Sequence, residues 1–193
     1  MPELWDPLTY DNLMAGAIAH FEKQERMPLE SVAGVRGPGI YALYYDGAMA
    51  EYQPIADGVR PIYAGKAVPK GSRTGGEPDV EHPALRLRIR EHARSIDQVD
   101  NLSLEDFSYR VLAIVPVWIV FAEQALIKRH RPVWNSCLDG FGKHAQGSRR
   151  GTTERSWWDT LHPGRPWTDG ETQVKTVPEA SQRVMDFLRE VGE

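Results

Sequence analysis

The stretch Gly39-Ile40-Tyr41-Ala42-Leu43-Tyr44-Tyr45 decides the fold. Its aromatic and β-branched content reads as a strand over 40–45, set off by Gly37, Pro38 and Gly39 before it and closed by Asp46-Gly47 after it. An irregular insert over 46–60 precedes a second short strand expected over 61–65, and the Gly- and Pro-rich run 69–78 reads as loop. Beyond it the pattern predicts a helix over 83–96, a strand over 107–114 and a helix over 116–130, which Pro116 is well suited to open. The order ββαβα specifies an α/β (α+β) class. Upstream, Leu13, Met14, Ala17, Ile18 and Phe21 share one stripe of an amphipathic helix over 8–23. Downstream, Val184, Phe187, Leu188 and Val191 recur at the spacing of a last helix.

A chain of 193 residues with 41% hydrophobic content fits one domain and buries a core without disulfides, which excludes intrinsic disorder. The longest apolar run, 111–122, contains Pro116 and falls short of the roughly 18 residues of a membrane span. Glu3 and Asp6 stand where a secretory signal would carry a basic start, so the cytoplasm is the expected compartment. The single cysteine, Cys137, permits neither an internal disulfide nor a paired-thiol zinc site. A net charge of −4 argues against broad electrostatic attachment to nucleic acid, yet the charge is segregated. Arg86, Arg88, Arg90 and Arg94 face only Glu91 within 82–94, and Lys143, Arg149, Arg150 and Arg155 face only Glu154 within 143–155.

On the first central helix, Leu85, Ile89 and Ile96 mark the buried face, with Arg88 and His92 stacked one turn apart at its edge. Arg86, Arg90 and Arg94 form a separate ladder on the opposite side, where they could meet phosphates. On the second, Glu123 interrupts an apolar stripe between Ile119 and Val120 on one turn and Leu126 and Ile127 on the next. An unpaired carboxylate there would be costly, so it requires a cation, a metal or hydrogen-bond donors; a structural salt bridge to an arginine is the ordinary alternative.

Gly39-Ile40-Tyr41 followed by Tyr63-Ala64-Gly65, then Arg88 and His92 on one helix, Glu123 on the next and Asn135 after it, resembles the GIY-YIG nuclease superfamily over about 37–137. The longer strings 39–45, Ile62-Tyr63-Ala64-Gly65-Lys66-Ala67-Val68-Pro69 and Arg88-Ile89-Arg90-Glu91-His92-Ala93-Arg94 are similar to its type II restriction endonucleases, in the dimeric branch that cuts the palindrome CCGCGG. The resemblance implies a small antiparallel-containing three-stranded sheet flanked by helices, with N- and C-terminal helical extensions. It further implies one domain over 1–193: a helical arm over 1–36, a core over about 37–137, and a DNA-contacting loop with a C-terminal extension over 138–193. One departure is Ala64 where the second motif has isoleucine; strand alternation turns that side chain away from Tyr63 toward packing.

Phosphodiester hydrolysis needs an activated water, counter-charge for the developing pentavalent phosphate and help for the departing oxygen. By the resemblance, Glu123 holds one divalent cation per site, Mg2+, and Arg88 contacts the scissile phosphate. Tyr41 is the general base or water-positioning group, assisted by His92, because a phenol of ordinary pKa near 10 needs help at neutral pH. Tyr63 and Lys66 orient water or phosphate and Asn135 supports the site. Double-stranded DNA, a second copy of the chain and a cognate DNA methyltransferase without a stable complex are the implied partners. Rival readings are a repair or homing-type nuclease, a non-catalytic DNA-binding module, and an interaction domain in which these residues only pack.

For recognition, the glycine-rich loop over 140–151 carries Phe141, Lys143, His144, Arg149 and Arg150, and the ladder Arg86, Arg90 and Arg94 adds a second set of DNA-binding candidates. Trp157 and Trp158 are expected to pack rather than stack on bases. Replacing Arg149 and Arg150 together by alanine is expected to weaken DNA binding and flatten its salt dependence by roughly one log unit of slope per lost phosphate contact, read from isotherms at several salt concentrations.

Overall fold

A computed structural model describes residues 9–69, 79, 81–141 and 154–192. The elements are α1 (Tyr10–Glu22), β1 (Met27–Pro28), β2 (Gly39–Tyr45), a 3-10 turn (Ala50–Ile55), β3 (Tyr63–Ala67), α2 (Ala84–Asp97), β4 (Phe107–Ala113), α3 (Pro116–His130), α4 (Val133–Ser136), α5 (Trp157–Leu161) and α6 (Val177–Gly192). Thr9 caps α1 by accepting from the Asn12 N–H. Pro116 opens α3, which ends on Lys128, Arg129 and His130 with Arg131 in the left-handed region and Pro132 beyond. Cations suit that end of a helix, and proline cannot continue it.

The sheet is antiparallel throughout, in the order β1-β4-β2-β3. Among the described residues it has four strands where three were expected. The extra one, β1, pairs Met27 with Tyr109 and Pro28 with Ser108, and two residues are too few to show a period in sequence. Its edge position tolerates the missing N–H of Pro28. The second motif strand also sits two residues later than expected, because pairing begins only where Tyr63 meets Leu43. The short helices α4 and α5 had no sequence expectation.

All seven residues of β2 are buried, so both of its faces are covered. Ile40, Ala42 and Tyr44 point to α1 and α3, meeting Met14, Ile18, Phe21, Ile119, Ala122 and Leu126. Tyr41, Leu43 and Tyr45 point the other way, into a larger cluster with Ile89 and Ile96 of α2, Trp134 of α4, Trp158 of α5 and Val184 and Leu188 of α6. The period of two along one strand thus makes a helix–sheet–helix sandwich. The insert joins the second layer: Tyr52 and Ile55 are buried there.

A polar chain, buried at Trp134, Tyr52 and His162 and ending at exposed Asn101, ties the C-terminal segment to this core. The Asn101 amide donates to the Leu161 carbonyl, which leaves its Oδ1 to accept from His162 Nδ1 at 3.0 Å. His162 Nε2 must then accept from the Tyr52 hydroxyl at 2.7 Å, whose oxygen accepts from Trp134 Nε1 at 2.8 Å. Burial, with Arg165 adding to it, pushes the His162 pKa down to about 3. The unfolded chain takes up that proton near pH 6.5 and the folded chain does not, so stability falls as pH drops from about 6.5 toward 3, by up to about 1.4 kcal/mol per pH unit. Urea midpoints measured between pH 7.5 and 4.5 should decline more shallowly, by one proton, in His162→Gln.

Candidate active site

The free edge of β3 opens into a cleft of about 620 Å³. Alternation divides its walls. Tyr41, Tyr63 and Arg88 enter from the α2 side, whereas Lys66 and Glu123 enter from the α3 side. Register puts Tyr41 opposite Gly65, where any Cβ would come within 2.5 Å of the Tyr41 hydroxyl oxygen. Gly39, the other motif glycine, lies against the Leu112 carbonyl, which a side chain would strike.

The Tyr41 hydroxyl oxygen stands 2.6 Å from Nε2 of His92, and both residues are buried. Burial, reinforced by neighbouring Tyr63, raises the Tyr41 pKa well above its ordinary value, while Arg88 pulls it down less strongly. Burial raises that of Tyr63 as well, again opposed by Arg88. Tyr41 is therefore a neutral phenol near pH 7, able to accept a hydrogen at oxygen while giving its own to an imidazole. For Arg88, burial opposes the charge, but Tyr41, Glu91 and Tyr63 outweigh it and keep the guanidinium protonated. Its Nη1 is 2.7 Å from Glu91 Oε2, a pair open enough to solvent for a phosphate to replace the carboxylate.

Glu123 is paired with Lys66, so its partner is a lysine and not the arginine of the ordinary alternative. Its side chain is 16% exposed, and the carboxylate borders the cleft. Among the described residues no group of three or more His, Cys, Asp and Glu converges. A lone carboxylate suits Mg2+, which keeps several waters and takes further oxygens from substrate phosphates. Asn135 is outside the cleft and clamps β3 from its edge: its Oδ1 accepts from the Ala64 N–H and its Nδ2 donates to the Ala64 carbonyl, both at 2.8 Å. Ala64 itself is buried on the α3 side, away from Tyr63, as alternation requires.

The structure thus brings together Tyr41, Tyr63, Lys66, Arg88, His92 and Glu123, with Asn135 behind them. A family model described as the Eco29kI GIY-YIG domain matches residues 34–190. The chain belongs to this family. The comparison with curated proteins returned no match. As a GIY-YIG nuclease of a restriction endonuclease family, the protein is an endonuclease hydrolase whose partner is DNA. The family match extends well past 137, where the motif residues end, into the segment that carries α5 and α6. No helix among the described residues is long and apolar enough to cross a membrane.

Other expectations fall elsewhere. Arg90 and Arg94 are exposed and line a separate shallow groove with Ala93, Asp97 and Leu104, and Arg86 is half-buried outside the cleft of this GIY-YIG nuclease. Lys143, His144, Arg149 and Arg150 lie outside the described residues. Trp158 is wholly buried, in line with a packing role. His82 and Glu91 also line the cleft. Sequence reasoning took Glu91 only as a counter-charge and gave His82 no role, because neither stands on a patterned face. Gly65→Ala is expected to push the Tyr41 hydroxyl out of line with His92 and lower the single-turnover cleavage rate about 100-fold, with DNA affinity in Ca2+ little changed.

Proposed function

We propose that the protein is a type II restriction endonuclease of the cytoplasm that uses Mg2+ to hydrolyse phosphodiester bonds in double-stranded DNA at a GC-rich palindrome, CCGCGG. The observation that carries this reading is the 2.6 Å approach of a buried phenol and imidazole beside a cleft that also holds Arg88 and the Glu123 carboxylate. With neutral His92 accepting at Nε2, the Tyr41 hydroxyl passes its proton there as its oxygen takes a proton from the attacking water. The hydroxide forms its bond to phosphorus, the 3′ oxygen leaves with the bonding pair as an alkoxide that takes a proton from solvent, and the proton stored on His92 leaves in a later step. Arg88 exchanges Glu91 for the phosphoryl oxygens and stabilises their growing charge. Tyr63 and Lys66 orient the water and the phosphate.

Glu123 would hold the Mg2+, and the neighbouring Lys66 ammonium would be available to the phosphate. The ion supplies charge stabilisation at the phosphate and the departing oxygen. A palindrome has two equivalent strands and each chain one site, so two copies related by a two-fold axis cut both. The companion activity is a DNA methyltransferase that protects the same sequence without forming a stable complex.

Glu123→Gln keeps the volume and removes the charge. Its melting temperature should stay near that of the wild type and its DNA affinity in Ca2+ within a few-fold. Cleavage in Mg2+ should fall at least about 1,000-fold, a loss of roughly 4 kcal/mol of transition-state stabilisation. The wild-type complex should sediment as two chains per duplex. A stable Glu123→Gln protein that cuts at the wild-type rate, or wild-type cutting that persists in excess EDTA, would overturn the metal-dependent reading.

A further inference from the structure

His92 points its Nε2 at Tyr41, and the plane of its ring is set by what packs on its faces as well as by its polar contacts. Phe141 lies flat on it, with centroids 4.1 Å apart and planes 27° from parallel, the closest and most nearly parallel of the ring contacts among the described residues. Tyr63 closes the group edge-on, 5.1 Å from His92 and 4.9 Å from Phe141. Trp134 meets Phe141 edge-on from another side at 4.7 Å.

Phe141 is in turn held by groups remote from the cleft. Its carbonyl accepts from Arg165 Nη2 at 2.7 Å. Arg165 is buried, paired with buried Asp159, and stands over the Trp158 ring at 4.4 Å. Asp159 is fixed by Ser156 Oγ at 2.5 Å and by its own place in α5. Phe141 does not line the cleft, so it reaches the reaction through the rings it packs on, face-on through His92 and edge-on through the cleft-lining Tyr63.

We infer that Phe141 is a positioning residue for the reaction: it holds the His92 ring at the angle where Nε2 meets the Tyr41 hydroxyl, and the Arg165–Asp159 pair sets Phe141. This rests on the reading of Tyr41 and His92 as the proton-accepting pair. The aromatic face, and not hydrophobic volume alone, does the orienting. A substitution that keeps apolar bulk therefore costs rate more than fold.

The test uses the full chain, a duplex bearing the proposed site, and Phe141→Leu. Single-turnover cleavage in Mg2+ should fall at least about ten-fold, within the range expected for a misplaced reacting group, while DNA affinity in Ca2+ stays within about two-fold. The imidazole nitrogen-15 signals of His92, assigned by their absence in His92→Gln, should report one neutral tautomer in the wild type and an average over tautomers in Phe141→Leu. Should Phe141→Leu fail to melt cooperatively, Phe141→Met replaces it with the same expectations. A folded variant that cuts within two-fold of wild type, or one that loses rate with the His92 signals unmoved, overturns the inference. If instead His92→Gln cuts at the wild-type rate, the proton-acceptor reading fails, and the nitrogen-15 signals alone decide whether Phe141 orients the ring.

Discussion

The two hydrogen bonds between the Asn135 carboxamide and the backbone of Ala64 are the constraint on which the active cleft depends. Among the described residues β3 is an edge, paired only with β2, and an unpaired edge is free to fray or to recruit another strand. The carboxamide presents an acceptor and a donor at the spacing of a ladder pair and so completes the strand at one residue, which leaves the rest of the edge open. Tyr63, Gly65 and Lys66 flank that clamped residue. Its position is inherited from the core: Trp134, the residue before Asn135, donates its backbone N–H to the Ile62 carbonyl at 3.0 Å and its ring N–H to the Tyr52 hydroxyl. Trp134 is anchored in turn by the polar chain that runs through Tyr52 and His162 to Asn101.

Strand alternation separates the chemistry into two kinds of environment. Tyr41 and His92 lie on the side packed by α2 and the C-terminal helices, where burial keeps the phenol neutral. Glu123 and Lys66 lie on the α3 side, nearer solvent, where charges cost less to maintain. Under the proposed mechanism the proton-passing pair needs dry, fixed surroundings, and the carboxylate proposed to take up a hydrated ion needs access to water. The edge strand borders both because its consecutive residues face opposite ways, Gly65 lying under the Tyr41 hydroxyl and Lys66 meeting Glu123.

The parts legible in sequence are those governed by period. The strand over 40–45, the helix over 116–130 and the stripe of Leu85, Ile89 and Ile96 all follow from alternation or helical spacing, and β2, α3 and the buried face of α2 agree with them closely. The two-residue strand β1 has no period to read. The Glu123 partner was legible as a need but not as Lys66, because the meeting depends on the β3 register, and that register shifts from the expected span by two residues. Phe141 reads in sequence as part of a basic glycine-rich loop, yet the ring is buried among Trp134, Trp158 and His92. Only tertiary packing brings it there. The Arg165–Asp159 pair escaped for a similar reason, since six residues of separation match neither a helical nor a strand contact.

The alanine at the centre of the second motif is accounted for by the helix that covers it. Ala64 is wholly buried against α3, in the same cluster as Ala122. Small residues on a strand and on the helix above it let the two backbones approach, and the residue after Ala122 is Glu123. Close seating of α3 on β3 is what allows the Glu123 carboxylate to reach Lys66, two residues beyond Ala64 and on the same face. A bulky branched side chain at 64 would have to be offset by a smaller neighbour or a displaced helix, and displacement would carry the carboxylate away from the edge. The departure from the motif is therefore a packing solution that preserves the reach of Glu123, and it leaves Tyr63, on the opposite face, untouched.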